Sequence, residues 1–485
     1  MYALFYGDSH ELAIASYAEP DQEMNKKARN TWVKPLSTGS GPRYLQIADL
    51  IAKSIQSGQL HAGDQVPSQR WLAAELQVDL TTVTRAYAEA RDRGLIASFG
   101  GRGSFVLGDA GPTGPHQVDL AMNTPPQPAD GSMVARIQAG LQDVLARQSI
   151  DVLSRYPGNA SSASAVQAAR AWLRPALGDV AGQQLLLSEG AQAALFAILL
   201  STTRPGQTVL CEKLTYPGFL QAARQLGLQV IGLDIDDDGV MPDAIEHAHR
   251  SSRAQLLYLN PTLHNPTTRT MPENRRQQIA STLARLGMTL IEDDPYRFLL
   301  NDVPPPIAAL NGGVQTYYLA SLSKCLSPAL RTAFVLPPRG DDGGPLLEAL
   351  RGVSMGGSPL LGALVEYWIR SGGARQLVQE IQREARARQT LARSLLPAQS
   401  QAHPTGIHVW MPLPTHWNQH SFAHALDGAG VSVACAQSFS LEPVMEDAVR
   451  ISLGGARDQA ELAQALRAVA MLIAQKPRRG VHAIV

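Results

Sequence analysis

The stretch Ser321-Leu322-Ser323-Lys324-Cys325-Leu326-Ser327-Pro328-Ala329-Leu330-Arg331 sets one lysine between two hydroxyls, with an arginine seven residues on. A lysine amine can form a Schiff base with an aldehyde. Ser321, Ser323 and Arg331 can hold a phosphate beside it. An aldehyde and a phosphate on one small molecule point to pyridoxal 5′-phosphate (PLP). Alone, the stretch also fits a serine-rich loop before a helix, with its lysine on the surface.

A PLP site needs further groups. A carboxylate must keep the ring nitrogen protonated; Ile291-Glu292-Asp293-Asp294-Pro295-Tyr296 follows an apolar run, which puts acids at the end of a strand. A solvated acidic loop would read the same way. The ring oxygen needs donors, which Asn265 and Tyr296 can supply. Tyr216, in Leu214-Thr215-Tyr216-Pro217-Gly218, can cover the ring face or be an ordinary surface tyrosine. Leu187-Ser188-Glu189-Gly190-Ala191-Gln192 offers a strand end, a glycine turn and a helix start, where backbone amides receive phosphate. Arg450, on a strand near the C-terminus, can clamp a carboxylate bidentately or form a structural ion pair.

These residues must be brought together by the elements between them. Short apolar runs at 183–187, 208–211, 230–233, 255–259, 289–291 and 316–319 alternate with helix-length segments. That alternation predicts an α/β unit, a mostly parallel sheet wrapped by helices. Ligands of such sheets bind beyond the carboxyl ends of the strands. From about Pro345 the chain is helix-rich and then carries 408–413 and 449–453, a smaller α+β lobe.

The N-terminal part has a different pattern. Residues 1–37 are polar and without sustained period, as in a disordered tail. Within 38–108, Tyr44, Ala48, Ile51 and Ile55 recur at helical spacing. Ser68 can cap a second helix running to about Leu76, and a third covers about Leu80 to Arg93. Leu95–Ser98 and Ser104–Leu107 flank the glycine-rich Phe99-Gly100-Gly101-Arg102-Gly103 as two strands. This is a winged helix-turn-helix pattern. Val83, Tyr87 and Ala90 face the core, leaving Thr81, Thr82, Thr84 and Arg85 outward, with Arg102 at the wing tip. Residues 43–108 hold seven basic residues (Arg43, Lys53, Arg70, Arg85, Arg91, Arg93, Arg102) and six acidic ones (Asp49, Asp64, Glu75, Asp79, Glu89, Asp92), a net of +1. So weak a charge also suits a helical domain that only mediates association. Residues 109–130, with Thr124-Pro125-Pro126-Gln127-Pro128, read as an extended linker. The remainder, 131–478, forms the second domain, with a large lobe at about 163–345 and a small lobe at about 131–162 and 346–478.

The 485 residues suffice for two or three domains. Lys+Arg and Asp+Glu are both 42, so any DNA-binding surface must be local. The three cysteines, Cys211, Cys325 and Cys435, are far apart and lack metal-ligand spacing, which fits a reducing compartment and calls for no metal. No apolar run reaches membrane-spanning length and the N-terminus lacks a signal-peptide pattern, so a bacterial cytoplasm is expected.

Two resemblances join these readings. Residues 43–108 resemble the winged helix of GntR-type regulators, through Val66-Pro67-Ser68-Gln69-Arg70-Trp71-Leu72-Ala73, Thr81-Thr82-Val83-Thr84-Arg85-Ala86-Tyr87, Gly94-Leu95-Ile96 and Gly101-Arg102-Gly103-Ser104-Phe105-Val106. The resemblance implies DNA contacts by Arg70, Thr81, Thr82, Thr84 and the glycines at 100–101. The chain departs from the pattern at Leu80, where arginine is usual, and at Asp79, where Ser or Thr is usual.

Residues 115–475 resemble fold-type I aminotransferases, because Gly190, Tyr216, Asn265, Asp293, Tyr296, Lys324, Arg331 and Arg450 follow in that family's order. The resemblance implies that Lys324 binds PLP as an imine and Asp293 pairs with the ring nitrogen. Tyr296 and Asn265 bind O3′, and Tyr216 stacks. Gly190, Ala191, Gln192, Ser321, Ser323 and Arg331 hold the phosphate, with Tyr156 reaching it from a partner subunit. Asp293 is preferred to Asp294 because the family places its aspartate three residues before the tyrosine. Departures are Ala191 for Ser or Thr, Thr268 for the glycine of Asn-Pro-Thr-Gly, and Ser161 and Ala165-Val166 for Gly and Leu-Arg.

Together the parts resemble the MocR subfamily of GntR regulators. That implies a homodimer, head-to-tail, in which an amino compound or PLP itself is sensed at Lys324 and operator binding changes. The alternatives are an active aminotransferase with a fused DNA-binding domain, and a PLP-binding protein whose winged helix only dimerises.

Overall fold

The computed structural model describes residues 32–36, 41–57, 59–61, 64–99, 103–106, 117–128, 132–155, 162–180, 182–310, 313–440, 442–443 and 446–475. The chain divides into two units, Met1–Gly114 and Pro115–Val485.

In the first unit, helix α1 (Arg43–Gln56) precedes strand β1 (Gln65–Val66), α2 (Gln69–Glu75), α3 (Leu80–Asp92) and the hairpin β2 (Ile96–Phe99) and β3 (Gly103–Val106). β3 is the middle strand, antiparallel to both β1 and β2. Ser68 caps α2, its hydroxyl accepting from the Trp71 amide at 3.3 Å. The apolar positions spaced three and four apart on α3 are Val83, Ala86, Tyr87 and Ala90, and all are buried with Ile47, Ile51, Leu72, Ile96 and Val106. The Tyr87 hydroxyl, carried into this core, donates to the Pro67 carbonyl at 2.7 Å. Trp32 corrects the tail boundary: it lies inside 1–37 yet is 1% exposed in the same core. Trp32, Val33 and Leu36 all meet this core, but three apolar residues in five are too few to show a period.

In the second unit β4 (Val118–Asp119) comes first. It is followed by β5 (Leu186–Ser188), β6 (Thr208–Glu212), β7 (Gln229–Leu233) and a hairpin of β8 (Ile235–Asp236) and β9 (Gly239–Val240). Next come β10 (Leu256–Leu259), β11 (Thr289–Asp293), β12 (Gln315–Ser321) and β13 (Ala333–Leu336). Seven of these form one sheet in the order β5-β13-β12-β11-β10-β6-β7. Pairing is parallel except that β13 runs against both its neighbours. β10 and β13 are buried at every position, as strands covered on both faces must be. The second lobe carries β14 (Gln401–Ala402), β15 (His408–Pro412), β16 (Val431–Ser432), β17 (Ala434–Cys435) and β18 (Ala448–Ser452). Of these, β14-β15-β18-β17 form an antiparallel sheet, and β16 pairs in parallel with β4.

The stretch 109–130, read from composition as linker, contributes its second half to this unit. Val118 pairs with Val431, and Leu120 is fully buried beside Val431 and Val449. Two strand residues and one leucine among prolines are too short to show a period.

Candidate cofactor site

The expected site residues converge because the parallel strands end on one edge of the sheet. Gly190 follows β5, Tyr216 follows β6, Asn260 and Asn265 follow β10, Asp293 closes β11 and Lys324 follows β12. β13 runs the other way, so its start brings Arg331 to the same edge.

Asp293 is 4% exposed. Its Oδ2 accepts from the Tyr258 hydroxyl at 2.8 Å, and its Oδ1 is buried without a partner among the described residues. Burial pushes its carboxyl up to about 7 against the opposing pull of the Tyr258 hydrogen bond, with Asp294 raising it and Lys324 lowering it. An unpaired buried carboxylate oxygen calls for a donor or cation; a protonated ring nitrogen of PLP is both. Asp294 also has an unpaired Oδ1, but Arg297 meets its charge and Tyr318 donates to it at 3.1 Å. Glu292 points to the other side, accepting the amides of Ile307 and Ala308 at 2.9 and 2.8 Å.

Burial lowers the Lys324 amine to about 8, helped by Arg450 and Arg331 and opposed by Asp293. Its Nζ donates to the Asn123 carbonyl at 2.5 Å. An amine depressed toward neutrality is a better nucleophile for an aldehyde. Burial also raises the Tyr216 hydroxyl, with Asp293 adding to the shift and Arg450 and Arg331 opposing it, which sets Tyr216 among these charges.

The phosphate end is shaped by glycine. Gly190 has φ +90°, and a Cβ there would lie 3.2 Å from the Arg331 guanidinium, which donates to the Glu189 carbonyl at 3.0 Å. Gly190 caps the helix Ala191–Thr202, so the amides of Ala191 and Gln192 open that helix toward Arg331. Ser321 and Ser323 share a hydroxyl contact of 2.7 Å. Gln192 donates to the Gly218 carbonyl at 2.9 Å, and a Cβ on Gly218 would collide with both Gln192 Oε1 and the Tyr216 ring. Donors and a cation fit a phosphate.

At the other end Arg450 is 6% exposed. It donates to Asn265 Oδ1 at 2.8 Å and to the Ala121 carbonyl, and lies 5.0 Å over Phe439. Its Nε has no partner among the described residues. Because Asn265 Oδ1 accepts from Arg450, its amide hydrogens are what it offers to a ligand. Thr268, where glycine is usual, keeps the left-handed φ of +65° and donates its amide to the His264 carbonyl at 2.7 Å.

On the winged helix, Arg70, Thr81, Thr84 and Arg85 are exposed and Thr82 is half-buried. The Thr84 hydroxyl is within reach of Gln69 at 2.8 Å and the Leu80 carbonyl at 2.9 Å, tying α3 to α2. Arg85 lies 4.5 Å over the Tyr44 ring, which leaves Arg70, Thr81 and Thr82 as the less committed groups of this face. Asp79, at the N-cap of α3, makes no side-chain cap, and Leu80 beside it is 43% exposed. Tyr156, Gly101 and Arg102 lie outside the described residues.

Tyr258, Asn123, His408 and Asn260 belong to the site and were missed from sequence. Asn260 donates to the Asp293 carbonyl at 2.8 Å and accepts from the Asn265 amide at 2.9 Å, fixing both. The one signal was Tyr258, a hydroxyl inside the otherwise aliphatic run Leu256–Leu259.

Residues 115–469 match the family described as aminotransferase class I and II, and residues 43–106 match the bacterial regulatory proteins of the gntR family. The chain is similar to the uncharacterized HTH-type transcriptional regulator YdeF of Bacillus subtilis, 28% identical over 455 residues that cover 91% of this chain and 97% of that one. It is similar to the vitamin B6 salvage pathway transcriptional repressor PtsJ of Salmonella typhimurium, 29% identical over 393 residues, 79% and 88% of the two chains. Its fold is like that of the multiple substrate aminotransferase from Thermococcus profundus, with a TM-score of 0.67 and 19% identity over 74% of this chain and 92% of that one.

Proposed function

Because the chain belongs to the class I and II aminotransferase family and carries a gntR-family domain ahead of it, the architecture of MocR regulators, we propose that it is a PLP-dependent transcriptional regulator. Bound PLP supplies an aldehyde that takes up primary amines reversibly and a ring that withdraws electrons. Lys324 is the amine that holds it. Asp293 keeps a proton on the ring nitrogen through its unpaired Oδ1. Tyr296 and Asn265 donate to the ring oxygen, Tyr216 covers the ring, and Gly190, Ala191, Gln192, Ser321, Ser323 and Arg331 receive the phosphate, with Tyr156 added from a partner subunit. Arg450 binds the carboxylate of an amino compound that competes with Lys324.

The observation that carries this reading is the presence, in one chain, of a PLP-fitted site and a DNA-binding unit. The reading extends to a head-to-tail homodimer in the bacterial cytoplasm, associated with the nucleoid when on DNA. The output is a change in operator affinity, and such coupling needs only about 1–3 kcal/mol between two states. In a second version PLP itself is the effector. Its support is the likeness to a repressor named for vitamin B6 salvage. Residue content also permits transamination, with Lys324 as proton carrier. The test is a titration of the DNA upstream of the protein's own gene, run without ligand, with PLP, and with PLP plus amino acids. A change in affinity with ligand supports regulation. Unchanged affinity together with repeated turnover of an amino donor and a keto acid would replace it with the enzyme.

A further inference from the structure

We propose that Asn123 is a positioning residue of the cofactor site, one that aims the Tyr296 hydroxyl and holds the Lys324 amine; this rests on the PLP reading above. Asn123 is 3% exposed, and the direction of its hydrogen bonds is set by a carbonyl. The His264 main-chain oxygen can only accept, so His408 Nε2, 3.4 Å away, carries the ring proton. His408 is fully buried, and burial with Arg450 nearby drives its pKa well down, so the ring is neutral and Nδ1 is bare. A bare Nδ1 accepts, and the Asn123 amide stands 3.3 Å from it. The second hydrogen of that amide points at the Tyr296 oxygen, 3.0 Å away. Tyr296 therefore accepts from Asn123 and keeps its own proton to donate to the cofactor's ring oxygen. The Asn123 main-chain carbonyl meanwhile accepts from Lys324 Nζ at 2.5 Å. One residue thus touches both the group that binds the ring oxygen and the group that binds the aldehyde carbon.

The seat of this residue is built for backbone, not for side chains. A Cβ on Gly454 would lie 1.9 Å from the Thr124 carbonyl, and one on Gly455 would lie 1.7 Å from the Asp119 carbonyl. Asp119 Oδ1 accepts the amides of Ala121 and Met122 at 2.8 and 2.9 Å, which shapes the turn between. The Leu120 carbonyl accepts from the Ser452 amide at 2.8 Å. The segment 119–124 is held at both ends, with Asn123 aimed inward. The other ionisable groups felt by Tyr296 are Arg450, Asp293 and Tyr216.

Asn123→Asp keeps the shape and replaces both donors with acceptors, so the Tyr296 proton turns away from the cofactor. The readout is the pH midpoint of visible absorbance in PLP-loaded protein. Asn123→Asp is expected to move it in the same direction as Tyr296→Phe, by about one unit. Asn123→Ala moves it less, with the same sign. Combining Asn123→Ala with Tyr296→Phe adds nothing beyond Tyr296→Phe alone. An unmoved midpoint in both Asn123 variants, or shifts that add, would overturn the proposal. Absence of any visible band in wild-type protein would instead sink the PLP reading beneath it.

Discussion

The Tyr258 hydroxyl donates to one oxygen of Asp293 at 2.8 Å, while the other oxygen, also buried, has no partner among the described residues. The carboxylate is thus fixed on one side and open on the other, and it feels the charge of Lys324, which follows β12. Tyr258 itself is fully buried and stacked on Phe219 at 4.3 Å, so its hydroxyl cannot swing away. Tyr258→Phe should weaken PLP binding roughly tenfold, since a hydrogen bond to a charged group contributes about 1.5–3 kcal/mol. Fluorescence titration with PLP measures this, and unchanged affinity would mean that Tyr258 does not orient the carboxylate.

The same carboxylate gives a pH dependence. Its pKa is about 7 in the folded protein, raised by burial, against about 3.9 in the unfolded chain. A raised folded pKa means that the folded state binds a proton that the unfolded state releases. Its contribution is therefore full below about pH 4 and is lost as pH rises to about 7. Without cofactor, Asp293→Asn should flatten the decline in Tm between pH 5 and 7.5. Glu292 is also raised to about 7 and titrates in the same window, so the difference from wild type isolates Asp293. Identical slopes would place the Asp293 pKa outside that range.

Thr268 holds a φ of +65°, a conformation that costs a β-branched residue about 1–2 kcal/mol. Thr268→Gly should raise the midpoint of thermal unfolding and leave the Asn265 contact with Arg450 in place. A lower midpoint would show that the buried threonine side chain contributes more than its backbone strain costs.

On the winged helix, Arg70 is exposed and Thr84 is engaged with Gln69. Arg70→Ala should weaken binding to all DNA sequences alike and reduce the salt slope by about one. Thr81→Ala and Thr82→Ala should act on sequence preference. If binding to the protein's own upstream DNA survives loss of both threonines, α3 does not read the groove.

Much of this site was legible because its residues follow strands. An apolar run that ends in a polar residue announces a carboxyl end, and Asp293, Tyr216 and Lys324 all stand just beyond one. Strand β13 escaped because Ala333–Leu336 is four residues long and follows Arg331 without a helix between, which alternation does not predict. Asn123 escaped for another reason. Its role depends on Gly454 and Gly455, some 330 residues later, leaving room for its backbone, and no local pattern encodes such a contact. Trp32 was hidden likewise, one of three apolar residues in a segment too short to show a period.

If the amine-binding site governs DNA binding, removing Lys324 removes that control. Wild-type protein and Lys324→Ala should be titrated against the DNA upstream of the gene, each with and without PLP and amino acids, while visible absorbance is followed. Wild type should show a visible band and a ligand-dependent change in DNA affinity of about fivefold or more, and Lys324→Ala should show neither. A variant that keeps both the band and the affinity change would contradict it.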